Sequence, residues 1–259
     1  MLGTEPAPWG FSNQSDLVAL ADGRTVVVQR YFSRSAAEHR LRVMAAVAEP
    51  LRVAGVPIPA LLLADLDATP PLAVFEAIPG KPSNVVAGED LSGPIFVQIA
   101  EQMGSMLSII GDLSTPGLPL PTLWSDPPLL AAEATRWLPI AMTWIESADV
   151  NMLRSMIASV PSLFRHRSPV FAHGDYGPQN VLIDGERITG LLDFEFARLA
   201  DRLFDVAWWA WVVRFHTPDA FDRAWHPFLR AAGIDSTAAH FADRIQALQV
   251  LRILELIVD

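Results

Sequence analysis

The sequence predicts an α+β protein in two unequal parts, a small β-rich part over residues 1–80 and a larger, mainly helical part over residues 81–259. Three observations carry that expectation. Short runs of β-branched and other apolar residues, separated by turn residues, fill most of the first part. Apolar residues recur at helical spacing through most of the second. The change of character falls at Pro79-Gly80, a pair that punctuates a chain strongly.

Leu17 to Ala21 and Arg24 to Tyr31 flank Asp22-Gly23, a strong short-range hairpin signal. Ser35-Ala-Ala-Glu38 has the form of a capping box and predicts a helix from Ala36, with Arg40, Val43, Met44 and Val47 along one stripe. Pro50 is expected to stop that helix, because it lacks the N–H that would continue it. Ala60 to Ala64 and Leu72 to Glu76 read as two strands joined by the turn-rich loop between them. Beyond Gly80, a helix is predicted over Ile95 to Ile110, then a proline-rich connector without regular structure from Thr115 to Pro128. Helices follow over Leu129 to Glu146 and Asn151 to Ser159, and a short strand over Val170 to Ala172. Val181 to Ile183 and Ile188 to Leu192 form a second hairpin around Asp184-Gly185, and the chain from Leu203 onward reads as helical.

Composition excludes several classes of function. Nineteen Lys and Arg stand against 29 Asp and Glu, a formal net charge of −10, and Lys81 is the only lysine. No P-loop precedes that lysine, and a net acidic chain without a basic tract lacks the footprint of a nucleic-acid binder. No apolar run reaches the roughly 18 residues of a membrane span. The opening MLGTEPAPWG has no signal-peptide pattern, so the expectation is a soluble cytoplasmic protein without a membrane partner. The absence of cysteine removes disulfides, thiol catalysis and Cys-ligated metals. The sequence assigns no oligomeric state.

The informative stretch is His173-Gly-Asp175-Tyr-Gly-Pro-Gln-Asn180, followed by the second hairpin and then by Leu191-Leu-Asp193-Phe-Glu195. Asp175 and Asn180 share one tight loop, and the hairpin returns Asp193 to the same end of its sheet. A carboxylate and an amide oxygen suit hard Mg²⁺, which shares its coordination sphere with substrate phosphates and water. The remaining carboxylate is then able to take a proton, as in phosphoryl transfer to a hydroxyl. For any single Asp or Asn the alternative is a turn capped by a short polar side chain. At about one in twenty per fixed position, the loop pattern alone would arise in on the order of one chain per thousand of this length.

This segment resembles the catalytic loop, HGDxxxxN, and the downstream DxE or DxD metal motif of the aminoglycoside phosphotransferase and choline kinase-like family, matched by His173, Gly174, Asp175, Asn180, Asp193 and Glu195. The resemblance implies a protein-kinase-like two-lobed fold, with a small β-rich N-lobe and a larger helical C-lobe. The activity it implies is transfer of the γ-phosphoryl group of ATP or GTP to a hydroxyl of an aminoglycoside-, macrolide- or amino-alcohol-like molecule, with Mg²⁺, expected as two ions. Asp175 would be the catalytic base, Asn180 and Asp193 metal ligands, and His173 a structural residue of the loop. Glu195 would either touch the second metal or stand as a solvated loop carboxylate. Asp205 matches the family's downstream structural aspartate, with a helix cap as its alternative. Leu72 to Gly80 resembles the strand and hinge whose backbone, here Glu76, Ala77 and Ile78, contacts the nucleobase; the alternative is an ordinary edge strand. Gly10 to Gln14 would be the loop over the phosphates.

One family feature is missing. The expected cation on the third strand is replaced by Gln29, and Arg30, one residue on, points to the opposite face. Glu38, the apparent helix acid, is read as the capping-box residue, and the core-facing stripe carries Arg40. Arg40 either buries its stem and reaches water, or forms an inverted pair in which Gln29 accepts its hydrogen bond and the helix supplies the phosphate-binding cation. A catalytically silent ligand-binding member of the same fold is the rival this substitution motivates. Trp208, Trp209, Trp211, Phe215, Trp225 and Phe228 make the C-terminal region rich in aromatic rings, most of them read as core and one or two as candidates for an acceptor pocket. The acidic Asp201, Glu195 and Asp219 offer an alternative seat for an amine-bearing acceptor.

Overall fold

The structure, a computed structural model, describes residues 3–6, 14–83, 93–144 and 147–258. Gly10 to Asn13 of the proposed phosphate loop lie outside the described residues, and the helix expected to reach Glu146 ends earlier, at Ala141, where the Thr143 and Trp144 N–H groups turn to carbonyls three residues back. The chain divides into two compact units that do not follow chain order. The first comprises Met1–Leu91, Gly117–Pro119 and Pro178–Glu195, and the second comprises Ser92–Pro116, Leu120–Gly177 and Phe196–Asp259.

The first unit is built on five antiparallel strands, β1 (Gly3–Pro6), β2 (Gln14–Ala19), β3 (Thr25–Arg30), β4 (Leu61–Asp65) and β5 (Leu72–Glu76), in the order β1-β2-β3-β5-β4. The hairpin at Asp22-Gly23 forms as expected, with Gly23 at φ 86°. Helix α1 spans Arg34–Val53 and differs from expectation at both ends. Its cap is Ser33, whose hydroxyl accepts the Ala36 N–H at 3.4 Å. Glu38 therefore lies too far into the helix for a capping box, and it pairs instead with Arg34 one turn back, at 3.0 Å. Pro50 sits inside the last turns rather than ending them. A proline removes only its own donor, and the Pro50 carbonyl still takes the Ala54 N–H at 3.0 Å.

Tyr31, Ala37, Leu41 and Ala73 form a buried cluster, with Leu61, Leu66 and Phe75 packed against it. Because Gln29 pairs with Ala73 and Val27 with Phe75, these four residues share the face that meets α1. Arg30 lies on the other face, as alternation requires, and pairs there with the buried Asp16. A second sheet of the same unit orders β6 (Lys81–Pro82), β8 (Val181–Asp184) and β9 (Arg187–Leu191) as β6-β8-β9. It contains the expected second hairpin, and it is anchored to the chain after α1 by the Leu191 N–H to Pro57 carbonyl bond at 2.7 Å.

The second unit is mainly helical: α2 (Pro94–Gly111), α3 (Pro127–Ala141), α4 (Ser147–Leu163), α5 (Phe204–His216), α6 (Pro218–Ala231) and α7 (Phe241–Val258). Asp126 caps α3, accepting the Leu129 N–H at 3.0 Å, so the helix starts at the last two prolines of the connector, where a missing N–H costs nothing. A short 3₁₀ turn, Leu123–Ser125, interrupts the connector expected to be irregular. The unit's two-stranded sheet pairs β7 (Val170–Ala172) with β10 (Arg198–Ala200), a strand whose three residues are too few to show a period. Trp209 and Phe228 stack at 4.0 Å in its core, and both are fully buried. In the same unit Glu255 binds Arg198 at 2.8 Å and accepts the Trp124 N–H at 2.8 Å. Burial works against that carboxylate, but Arg198 and Arg252 hold it below the usual range. Among the described residues no helix is long and apolar enough to cross a membrane.

Candidate active site

In the second unit, β7 delivers the chain into the loop that begins at His173. Asp205, in the first turn of α5, is not a cap of its own helix. Its two carboxylate oxygens take the His173 N–H at 2.7 Å and the Gly174 N–H at 3.0 Å. Burial pushes its carboxyl up to about 6, against the pull of those two N–H groups and of Arg198. Gly174 adopts φ 90°, and a Cβ there would run into the Phe196 carbonyl, so only glycine fits. The His173 ring is fully buried, lies edge-on to Tyr176 at 5.8 Å, and its Nδ1 accepts the Asp175 N–H at 3.3 Å. The Tyr176 hydroxyl donates to the Met103 carbonyl at 2.6 Å, and burial drives its phenol well above its ordinary value.

The loop is thus fixed by α5, α2 and its own histidine, and it presents a half-buried Asp175. Its Oδ1 accepts the indole N–H of Trp208 at 2.6 Å. Sequence reasoning placed Trp208 among the aromatic rings without a role. The signal was present in its spacing, because Trp208 stands three residues after Asp205 and so shares the helix face that meets the loop.

In the first unit, the turn Pro178–Asn180 leads into β8. The Leu192 N–H returns to the Asn180 carbonyl at 2.8 Å, closing the far end of the hairpin and setting Asp193 beside Asn180. Asn180 is buried, while Asp193 is exposed and holds a left-handed backbone, φ 64°, which Asp tolerates better than most residues. An amide oxygen and a carboxylate presented together fit a hard divalent cation. Among the described residues no group of three or more His, Cys, Asp and Glu could cage a metal, so a cation here would draw further oxygens from water and phosphate.

Glu195 is not a solvated loop carboxylate. Its side chain is 6% exposed and pairs with Arg40, whose own side chain is 20% exposed. Arg40 therefore ends on a carboxylate rather than in water, with its guanidinium 5.9 Å from the Tyr31 ring centroid. Gln29 accepts the Tyr31 hydroxyl at 2.8 Å. That phenol is pushed up to about 12, chiefly by burial, with Arg40 opposing and the Asp193 charge adding. The expected hinge is partly occupied by the sheet, since the Glu76 N–H goes to the Ala60 carbonyl at 2.9 Å, and Ala77 and Ile78 follow the end of β5. The structure thus gathers Gln29, Arg40, Asn180, Asp193 and Glu195 in the first unit, and His173, Asp175 and Asp205 in the second.

A sequence profile described as the phosphotransferase enzyme family matches residues 3–241. A 66-residue stretch is 41% identical to an aminoglycoside 3'-phosphotransferase of Niallia circulans, covering 26% of this chain and 24% of that protein. A 50-residue stretch is 34% identical to a probable aminoglycoside 3'-phosphotransferase of Lactococcus lactis, covering 19% of each. The chain therefore matches no more than about a quarter of the length of these curated relatives. Among solved structures, the macrolide 2'-phosphotransferase MphH from Brachybacterium faecium superposes with a TM-score of 0.69 at 18% identity, over 98% of this chain and 85% of that one. The GDP complex of wild-type aminoglycoside 2'-phosphotransferase-IIIa does so with a TM-score of 0.75 at 17% identity, over 99% and 85%. These likenesses establish the kinase-like α+β fold, with its antiparallel N-terminal sheet and helical C-terminal part.

Proposed function

The chain belongs to the phosphotransferase enzyme family, and on that premise we propose that it moves the γ-phosphoryl group of ATP or GTP to a hydroxyl of a small molecule. The observation that carries this reading is the pair of anchors on the catalytic loop: Asp205 holds its backbone at 2.7 and 3.0 Å, and Trp208 holds the Asp175 carboxylate at 2.6 Å. In the proposed step the acceptor oxygen forms a bond to the γ phosphorus and the bond from that phosphorus to the β–γ bridging oxygen breaks. The acceptor's proton passes to Asp175, and the nucleoside diphosphate departs. Asn180 and Asp193 would hold Mg²⁺, whose chemistry is to neutralise charge on the transferring phosphates. The nucleobase would lie against the backbone of Glu76, Ala77 and Ile78, and the loop would stay in register through His173 and Asp205. Aminoglycoside and macrolide names among the relatives make polyhydroxylated molecules reasonable first acceptors, and the nucleotide requirement argues for a cytoplasmic setting.

Arg40 is assigned to the phosphates in place of the strand cation, with Glu195 as the counter-ion that aims it; direct contact of Glu195 with a second metal ion is the other use of that carboxylate. Replacement of the strand cation by Gln29 favours a second reading, a silent binding protein of the same fold. Thermal-shift titration with Mg-ATP and Mg-GTP, together with release of nucleoside diphosphate over an acceptor panel, separates the two. Asp175→Asn should cut transfer at least about a hundredfold and leave nucleotide binding intact; near-normal turnover removes the base assignment. Arg40→Gln should weaken nucleotide binding about tenfold, and unchanged affinity would confine Arg40 to its pairing with Glu195.

A further inference from the structure

We propose that Arg252 of α7 is a positioning residue for the phosphoryl transfer: held by Glu255, its guanidinium fixes the Trp208 indole, and the indole N–H in turn sets the Asp175 carboxylate. The inference rests on Asp175 being the base. An acceptor hydroxyl has to come within about 3 Å of that carboxylate, so a contact that sets the rotation of the Asp175 side chain also sets the rate. The Trp208 N–H, 2.6 Å from its Oδ1, is such a contact.

Arg252 is 2% exposed and pairs with Glu255, three residues on and so on the same face of α7. Its guanidinium lies over the Phe196 ring at 4.7 Å and over the Trp208 ring at 5.7 Å. Glu255 is the fixed end of this arrangement. It also accepts two bonds from Arg198, at 2.8 and 3.0 Å, and the Arg198 Nε donates to the Phe196 carbonyl at 2.9 Å. That carbonyl is the one a Cβ at Gly174 would strike. One carboxylate of α7 thus orients two arginines, and both reach the catalytic loop. Arg198 does so through the backbone against which Gly174 packs, and Arg252 through the indole that binds Asp175.

Stability alone does not account for an arginine at this position. Two guanidinium groups share Glu255, and the Arg252 Nε is buried without a hydrogen-bond partner. An unmade bond on a buried charge is costly, and a well-packed apolar side chain in such a place is often as stable or more so. What the apolar side chain lacks is the charge. A cation over the face of an indole is attracted by the ring electrons and so holds the ring in place. By drawing those electrons toward itself it also makes the indole N–H a stronger donor to a carboxylate.

The test uses the full-length chain with ¹⁵N-labelled tryptophan and Mg-nucleotide, read by NMR of the indole N–H groups and by release of nucleoside diphosphate. Trp208→Phe identifies the Trp208 signal by its loss. Arg252→Met keeps an unbranched chain and removes the charge, and Arg252→Lys keeps the charge. In Arg252→Met the Trp208 signal should move upfield, toward that of an indole without a carboxylate partner. Its kcat should fall about fivefold with KM for nucleotide unchanged, and Arg252→Lys should recover most of both changes. In the Trp208→Phe background Arg252→Met should lower kcat no further, because the donor through which it acts is gone. Arg252→Gln, which keeps a hydrogen bond to Glu255 without the charge, takes the place of Arg252→Met if that variant does not fold. A Trp208 signal unmoved by loss of the charge overturns the proposal, as does a kcat loss that persists in full in the Trp208→Phe background. A chain that transfers no phosphoryl group to any acceptor, yet shows the signal move, would uphold the hold of Arg252 on Trp208 and remove the phosphotransferase reading instead.

Discussion

Asp205 ties the proposed catalytic loop to the stability of the fold through one carboxylate. It is 2% exposed, and burial raises it from the ordinary 3.8 to about 6 despite two backbone N–H bonds. A carboxyl raised in the folded state contributes stability that is fully present below about pH 4 and is lost as pH climbs through 6. On a shift of that size the loss is on the order of 3 kcal/mol. Urea unfolding of the wild type against Asp205→Asn should show the largest advantage of the wild type near pH 4 and a shrinking one up to pH 7. An advantage that grows with pH would mean that the N–H bonds and Arg198 outweigh burial. Trp208 acts on the same loop from the side-chain end. Trp208→Phe keeps the ring and loses the donor, so kcat should fall about tenfold while KM for nucleotide stays unchanged. Glu195 and Arg40 form a mostly buried pair, and leaving either charge alone is costly. A double-mutant cycle of Glu195→Gln and Arg40→Gln should give a coupling of at least about 1 kcal/mol. Zero coupling would mean that the pair contributes nothing to the folded state.

Glycines show how tightly the elements meet. At Gly104 of α2 a Cβ would collide with the Phe228 carbonyl of α6 and stand 2.9 Å from the Ala231 Cβ, so the two helices touch backbone to backbone. At Gly174 the collision with Phe196 is combined with a positive φ, whereas Gly23 has the positive φ alone and open space around it. Alanine at Gly174 and Gly104 should each cost about 3 kcal/mol or more, and alanine at Gly23 only about 1 kcal/mol, an order that thermal or urea unfolding checks directly. Element ends were the least legible in the sequence. Ser33 and Ser35 are equally good caps by type, and the choice between them depends on where the chain leaves β3. The strand at Arg198 became a strand only because β7 was there to pair with it.

At the scale of the molecule, the first unit draws its last segment, Pro178–Glu195, from far along the chain. That segment supplies β8 and β9, the partner of β6, and the carboxylate that pairs with Arg40. A fragment of residues 1–91 should therefore show no cooperative unfolding transition by circular dichroism, and a cooperative melt from it would show that the first sheet is self-sufficient. The sequence by itself determined what alternation and motif chemistry fix locally: the α+β division, the two hairpins, the loop from His173 to Asn180, and the placing of Arg30 on the face away from Gln29. Only the tertiary structure decided which carboxylate serves which partner. Asp205 holds the loop rather than capping its helix, Glu195 meets Arg40 rather than water, and Trp208 meets Asp175. Local periods say which face a side chain is on, but a contact between distant stretches of chain exists only once packing has brought two faces together.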